Sequence, residues 1–72
     1  MEDKIIEIIS SVSKIDKNEL AEKKDAEKLW ESITHVEVVV ALEEEFAIMF
    51  EQDEIAEMTT VSKIIDLVNS KV

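Results

Sequence analysis

Apolar residues recur with a helical period near both ends of the chain. Ile5, Ile8, Ile9 and Val12 fall at i, i+3, i+4 and i+7, and Val61, Ile64, Ile65 and Val68 repeat that spacing. Each set makes one apolar face, so the pattern predicts a first and a last helix. Thr60 stands at the N-cap position of the last one, where a hydroxyl can accept from a first-turn N–H. Between residues 15 and 31 the pattern thins. Asp16-Lys17-Asn18-Glu19 reads as a turn, with capping-box spacing from Asp16 to Glu19. Leu20, Leu29 and Trp30 are the apolar anchors there, and the remainder is mostly Lys, Glu, Asp and Ala. This predicts a long connection with room for a helical turn.

Residues 32–46 fit two patterns. Val36, Val38 and Val40 alternate as in a strand. Ile33, Val36, Val39, Val40 and Phe46 suit a helix. Three features favour the helix. Ser32 and Thr34 can cap its start, Thr34 and Glu37 have capping-box spacing, and Ala41 to Phe46 is a run of helix formers up to its last residue. A short element around Asp53–Glu57 then presents Ile55 and Met58. The expectation is one all-α domain over residues 1–72, a four-helix bundle with a short third helix.

Composition removes several functions. The chain has 72 residues, and 46% of them are hydrophobic, too many for a disordered acidic tail. No unbroken apolar run is longer than Val38 to Leu42, far short of the roughly 20 residues of a membrane span. The acidic start Met1-Glu2-Asp3-Lys4 has no signal-type apolar stretch behind it, so a cytoplasmic location is expected. Cysteine is absent, which excludes disulfides and a thiolate nucleophile; glycine is absent, which excludes a glycine-rich phosphate loop. Proline is absent too, so turns fall to Asp, Asn, Ser and Thr. The formal net charge is −10, which repels nucleic acid and anionic lipid. With a single histidine and no arginine or tyrosine, the chain is not expected to be an enzyme.

One stretch carries chemistry. Glu31-Ser32-Ile33 precedes the run that ends in Ala41-Leu42-Glu43-Glu44-Glu45-Phe46, and Met58-Thr59-Thr60-Val61 opens the last predicted helix. These blocks and their spacing resemble the acyl carrier protein family, whose Asp-Ser-Leu signature opens the second helix. The resemblance covers essentially the whole chain and is strongest from Leu29 to Val68. It implies a bundle of acyl-carrier-protein type. It also implies 4′-phosphopantetheine, transferred from coenzyme A by a phosphopantetheinyl transferase with Mg²⁺ and esterified to Ser32. The terminal thiol of that arm would carry acyl or aminoacyl groups as thioesters. Taken without the resemblance, Ser32 reads as an ordinary N-cap.

The chain departs from the family pattern at four places. Glu31 replaces the usual Asp beside the serine, where the acid helps hold the transferase metal, and Mg²⁺ tolerates geometry poorly. Ile33 replaces leucine with a stiffer β-branched side chain. Trp30 occupies a position that is more often small. Ala47 stands where the family often has glycine. A left-handed alanine costs roughly 1–2 kcal/mol, so the helix is expected to end differently or to run on past Phe46.

Charge is unevenly distributed. Residues 1–28 carry a net −2 and residues 29–72 a net −8. Glu31, Ile33, His35, Glu37, Glu43 and Glu44 are the expected recognition residues for the transferase and for acyl-transferring or acyl-modifying enzymes with basic docking patches. His35 is expected to be a surface contact near the arm. The resemblance also suggests an acyl pocket from Val36, Val40, Phe46, Phe50, Ile55, Met58 and Val61, although each of these suits ordinary core packing equally. No metal site is expected, since no fixed ligand spacing is visible, and the chain is expected to be a monomer. Three rivals remain open: an unmodified interaction protein that binds an enzyme through the acidic helix, a small hydrolase built on Ser32 and His35 with Glu31 as orienter, and an unrelated acidic helical module, which a strand at 36–40 would favour.

Overall fold

The computed structural model describes residues 2–72, and it is all-α. Five helices follow one another: α1 (Glu2–Ser13), α2 (Lys17–Glu22), α3 (Ser32–Phe46), α4 (Gln52–Glu57) and α5 (Val61–Lys71). Three are long and two are short. The Cα radius of gyration is 10.7 Å, close to the roughly 11 Å expected of a compact chain of this length. No described helix is long and apolar enough to cross a membrane.

Helix α1 is the hub. It packs chiefly on α3 and also touches α2 and α5. Ile5, Ile6 and Ile9 are buried, with Ile8 and Val12 half-buried beside them. Val61, Ile64, Ile65 and Val68 of α5 are all buried, so the spacing gives the core face there; in α1 it gives Ile5 and Ile9, while Ile6, outside the spacing, is buried ahead of Ile8 and Val12. Thr60 caps α5 by accepting from the Lys63 N–H at 3.1 Å. Lys14, at φ 66°, terminates α1, and the Ser10 hydroxyl donates to the Ile15 carbonyl across the turn.

The connection over 15–31 contains a complete helix where only a turn was expected, which makes five helices instead of four. The Asp16 side chain accepts from the Asn18 N–H at 2.8 Å and starts α2. One fully buried residue, Leu20, anchors α2 to the core. A helix with a single apolar anchor leaves no periodicity in sequence, so its existence depends on the α1 surface beneath it. The rest of the connection is held by the Ser62 N–H donating to the Lys24 carbonyl at 3.0 Å and by the Lys24–Glu2 ion pair.

The valine-rich segment is helical throughout, and it contains no strand at 36–40. Its buried face differs from the expected one. Val38, Val39 and Leu42 enter the core, while Ile33, Val36 and Val40 are exposed. Between Ile33 and Leu42 apolar residues occur nearly all round the helix, so the facing is chosen by α1 rather than by the pattern. Helix α3 ends at Phe46 after all. Ala47 adopts the left-handed conformation (φ 54°, ψ 47°), and its N–H donates to the Glu43 carbonyl, which also accepts from the Ile48 N–H at 3.1 Å. Two backbone bonds and the burial of Phe50 just beyond hold this alanine where a glycine would sit without strain.

Candidate functional site

Ser32 is the first residue of α3 and is exposed. Glu31, not Ser32, occupies the N-cap position, with extended backbone (φ −78°, ψ 166°) and no side-chain capping bond. Thr34 lies inside the first turn, so the Thr34–Glu37 capping box is not formed. The ladder begins with the His35 N–H donating to the Glu31 carbonyl at 2.9 Å. The N–H groups of Ser32, Ile33 and Thr34 therefore precede the ladder, and they leave the positive end of the helix uncapped by any side chain among the described residues. The exposed Ser32 hydroxyl makes no hydrogen bond among them either.

Beside Ser32 opens a cleft of about 580 Å³. The connection supplies one wall, from Glu27 to Glu31. Ser32, His35 and Val36 of α3 supply the second, and Gln52, Ile55 and Ala56 of α4 the third, with Met58 and Thr59 just beyond. Lys28, at φ 60°, reverses the chain and brings the half-buried Leu29 and Trp30 inward. Three of the expected pocket residues, Val36, Ile55 and Met58, line this cleft. The other four do not. Val40 is on the exposed face of α3, Phe46 packs half-buried against the core, and Phe50 and Val61 are within it. Leu29, Trp30 and Ala56 take their places, because the pocket is made by the connection folding over α4.

His35 is not a free surface contact. It is half-buried, and both its ring nitrogens are engaged. The Trp30 indole Nε1–H donates to Nδ1 at 3.1 Å, and Nε2 faces the Ile55 carbonyl at 3.1 Å. An indole N–H can only donate and a carbonyl can only accept. The imidazole is therefore the neutral tautomer with its hydrogen on Nε2. Its ring lies nearly parallel to the indole, 17° between planes with centroids 6.3 Å apart. His35 thus ties the connection to α4 across the N-terminal turn of α3, and neither nitrogen is available to draw a proton from Ser32. No sequence signal marks this pair, because a spacing of five across a helix start has no periodic meaning.

Glu43 is also committed. Its carboxylate accepts from the Phe50 N–H at 2.8 Å and closes the loop between α3 and α4. Glu31, Glu37 and Glu44 are exposed. Ile33, Val36, Glu37, Val40 and Glu44 share one exposed face of α3, so an apolar stripe runs beside two acids. Glu54 accepts from the Glu51 N–H at 2.9 Å and pairs with Lys71 at 3.0 Å. The bond from the Glu51 backbone, and then Lys71, hold its carboxyl below the ordinary glutamate value. Lys71 also lies 5.7 Å from the centre of the Phe50 ring. Helix α4 has no buried residue of its own, so these polar ties and its buried neighbours Phe50 and Met58 keep it in place.

No protein-family model matches this chain, and no curated protein matches it.

Proposed function

We propose that this chain is a carrier protein that bears acyl or aminoacyl groups as thioesters on a 4′-phosphopantetheine arm at Ser32. The observation that carries the reading is the exposed, unpartnered Ser32 hydroxyl at the uncapped start of a fifteen-residue helix, beside a cleft with apolar walls. A phosphodiester at that position meets the free N–H groups and the positive helix end. The residues fit the group. Ser32 Oγ would hold it as an ester, and Trp30, Val36 and Ile55 offer apolar surface in the cleft beside it. When bound, the arm supplies the thiol that a chain without cysteine lacks. The sequence resemblance to acyl carrier proteins, drawn from Glu31-Ser32-Ile33 and the blocks that follow it, supports the same reading.

Partners follow from the exposed face of α3. Ile33, Val36 and Val40 offer apolar contact, and Glu37 and Glu44 offer charge to a basic patch on a transferase or on an acyl-transferring enzyme. Glu31 presents its carboxylate one methylene farther out than Asp would, so a transferase matched to this chain must accept that distance. The same face also suits a protein that binds a partner enzyme and is never modified. Intact mass after incubation with coenzyme A, Mg²⁺ and a broad-specificity phosphopantetheinyl transferase separates the two, with Ser32→Ala in parallel. The carrier reading expects a gain of one phosphopantetheine in the native chain and none in the variant. An unmodified Ser32, even on co-expression with the chain's own transferase, would transfer the reading to the interaction protein.

A further inference from the structure

The Trp30–His35–Ile55 bridge closes one side of the cleft, and its bonding depends on the imidazole being neutral. Nδ1 must be an acceptor to hold the indole, whereas Nε2–H donates to the Ile55 carbonyl in either charge state. A proton taken from solvent onto Nδ1 sets two N–H donors against each other. The Ile55 bond survives and the Trp30 bond does not. We propose that His35 is an acid-released latch: protonation at Nδ1 detaches Trp30 and opens the cleft beside Ser32, whether or not Ser32 is modified.

The surroundings allow this without unfolding. Trp30 and Leu29 are only half-buried, and the connection that carries them is fastened elsewhere, by the Lys24 carbonyl and the Lys24–Glu2 pair. Release therefore moves a loop wall and leaves the α1, α3 and α5 core untouched. The titratable groups that line the cleft with His35 are Glu27, Lys28 and Glu31, all from the connection. Helix α3 adds none besides His35. Helix α4 contributes Gln52, Ile55 and Ala56, and α5 lines no part of the cleft. No titratable side chain reaches the cleft from α4 or α5, and of His35, Glu27, Lys28 and Glu31 only His35 bonds the indole.

Trp30 is the sole tryptophan, so it reports its own release. As pH is lowered, acrylamide quenching of Trp30 should rise roughly twofold in one reversible step. Far-UV circular dichroism should stay constant, and the step should be absent in His35→Gln. If that variant does not fold, the native chain decides by NMR: the Trp30 indole N–H and the His35 ring nitrogens must titrate together. Flat quenching in the native chain overturns the proposal, and an imidazolium that keeps the indole through its π face would give that result. So does a rise that tracks loss of helix, or one that persists in folded His35→Gln.

Discussion

Replacing Ala47 by glycine should stabilise this protein. Ala47 is left-handed at φ 54° and ψ 47°, and its methyl group is exposed. Removing the methyl forfeits no buried area and leaves both bonds to the Glu43 carbonyl intact. The left-handed conformation costs an L-residue with a Cβ roughly 1–2 kcal/mol. Glycine returns about 0.4–1 kcal/mol of that through its freer unfolded chain. The difference is a gain of about 0.5–1 kcal/mol. For a domain of this size that raises Tm by roughly 2–8 °C. With a urea m-value near 1 kcal/mol/M, the midpoint moves up by about 0.5–1 M at unchanged m. Urea titration followed by circular dichroism reads it directly. A β-branched control, Ala47→Val, should shift the midpoint down. A glycine variant whose midpoint is unchanged or lower would refute the argument, because it would mean that α3 does not end on a left-handed residue at 47.

Further outcomes follow from the same contacts. Glu43→Ala removes the acceptor of the Phe50 N–H and should cost about 1.5–2 kcal/mol, the lower part of the range for charged hydrogen bonds because Glu43 is only half-buried. Glu44→Ala, on the exposed side of the same turn, should stay within about 0.5 kcal/mol in parallel urea melts. Glu54 has a lowered folded pKa, first from the Glu51 N–H and then from Lys71. Its contribution is thus complete above the unfolded carboxylate value and is lost as pH falls through the folded one. Glu54→Gln should therefore flatten the acid limb of a plot of urea midpoint against pH, and an unaltered limb would contradict that assignment. The net charge of −10 sits within extents of only 26 × 23 × 18 Å. Salt at about 0.1 M screens beyond roughly 10 Å, so NaCl should raise Tm, with Mg²⁺ effective at lower concentration; a constant Tm would show that self-repulsion is negligible.

What the sequence determined by itself is what local physics can express. The i, i+3, i+4, i+7 spacing set α1 and α5 and the core face of α5, because one apolar stripe on an otherwise polar helix has only one way to be buried; in α1 packing added Ile6 and left Ile8 and Val12 half-buried. Hydroxyl and carboxylate caps at Thr60 and Asp16 are equally local, and so is the position of Ser32 at a helix start. Tertiary structure decided the rest. Helix α2 exists because Leu20 finds the surface of α1, although its own six residues show no period. Helix α3 is apolar almost all round, so only packing on α1 could choose Val38, Val39 and Leu42 over Ile33, Val36 and Val40. Alanine accepts a left-handed turn at 47 because two bonds to the Glu43 carbonyl and the burial of Phe50 outweigh its steric cost. The cleft beside Ser32 is likewise a product of folding: it joins Trp30, His35 and Ile55, residues whose hydrogen bonds cross elements and leave no trace in sequence spacing.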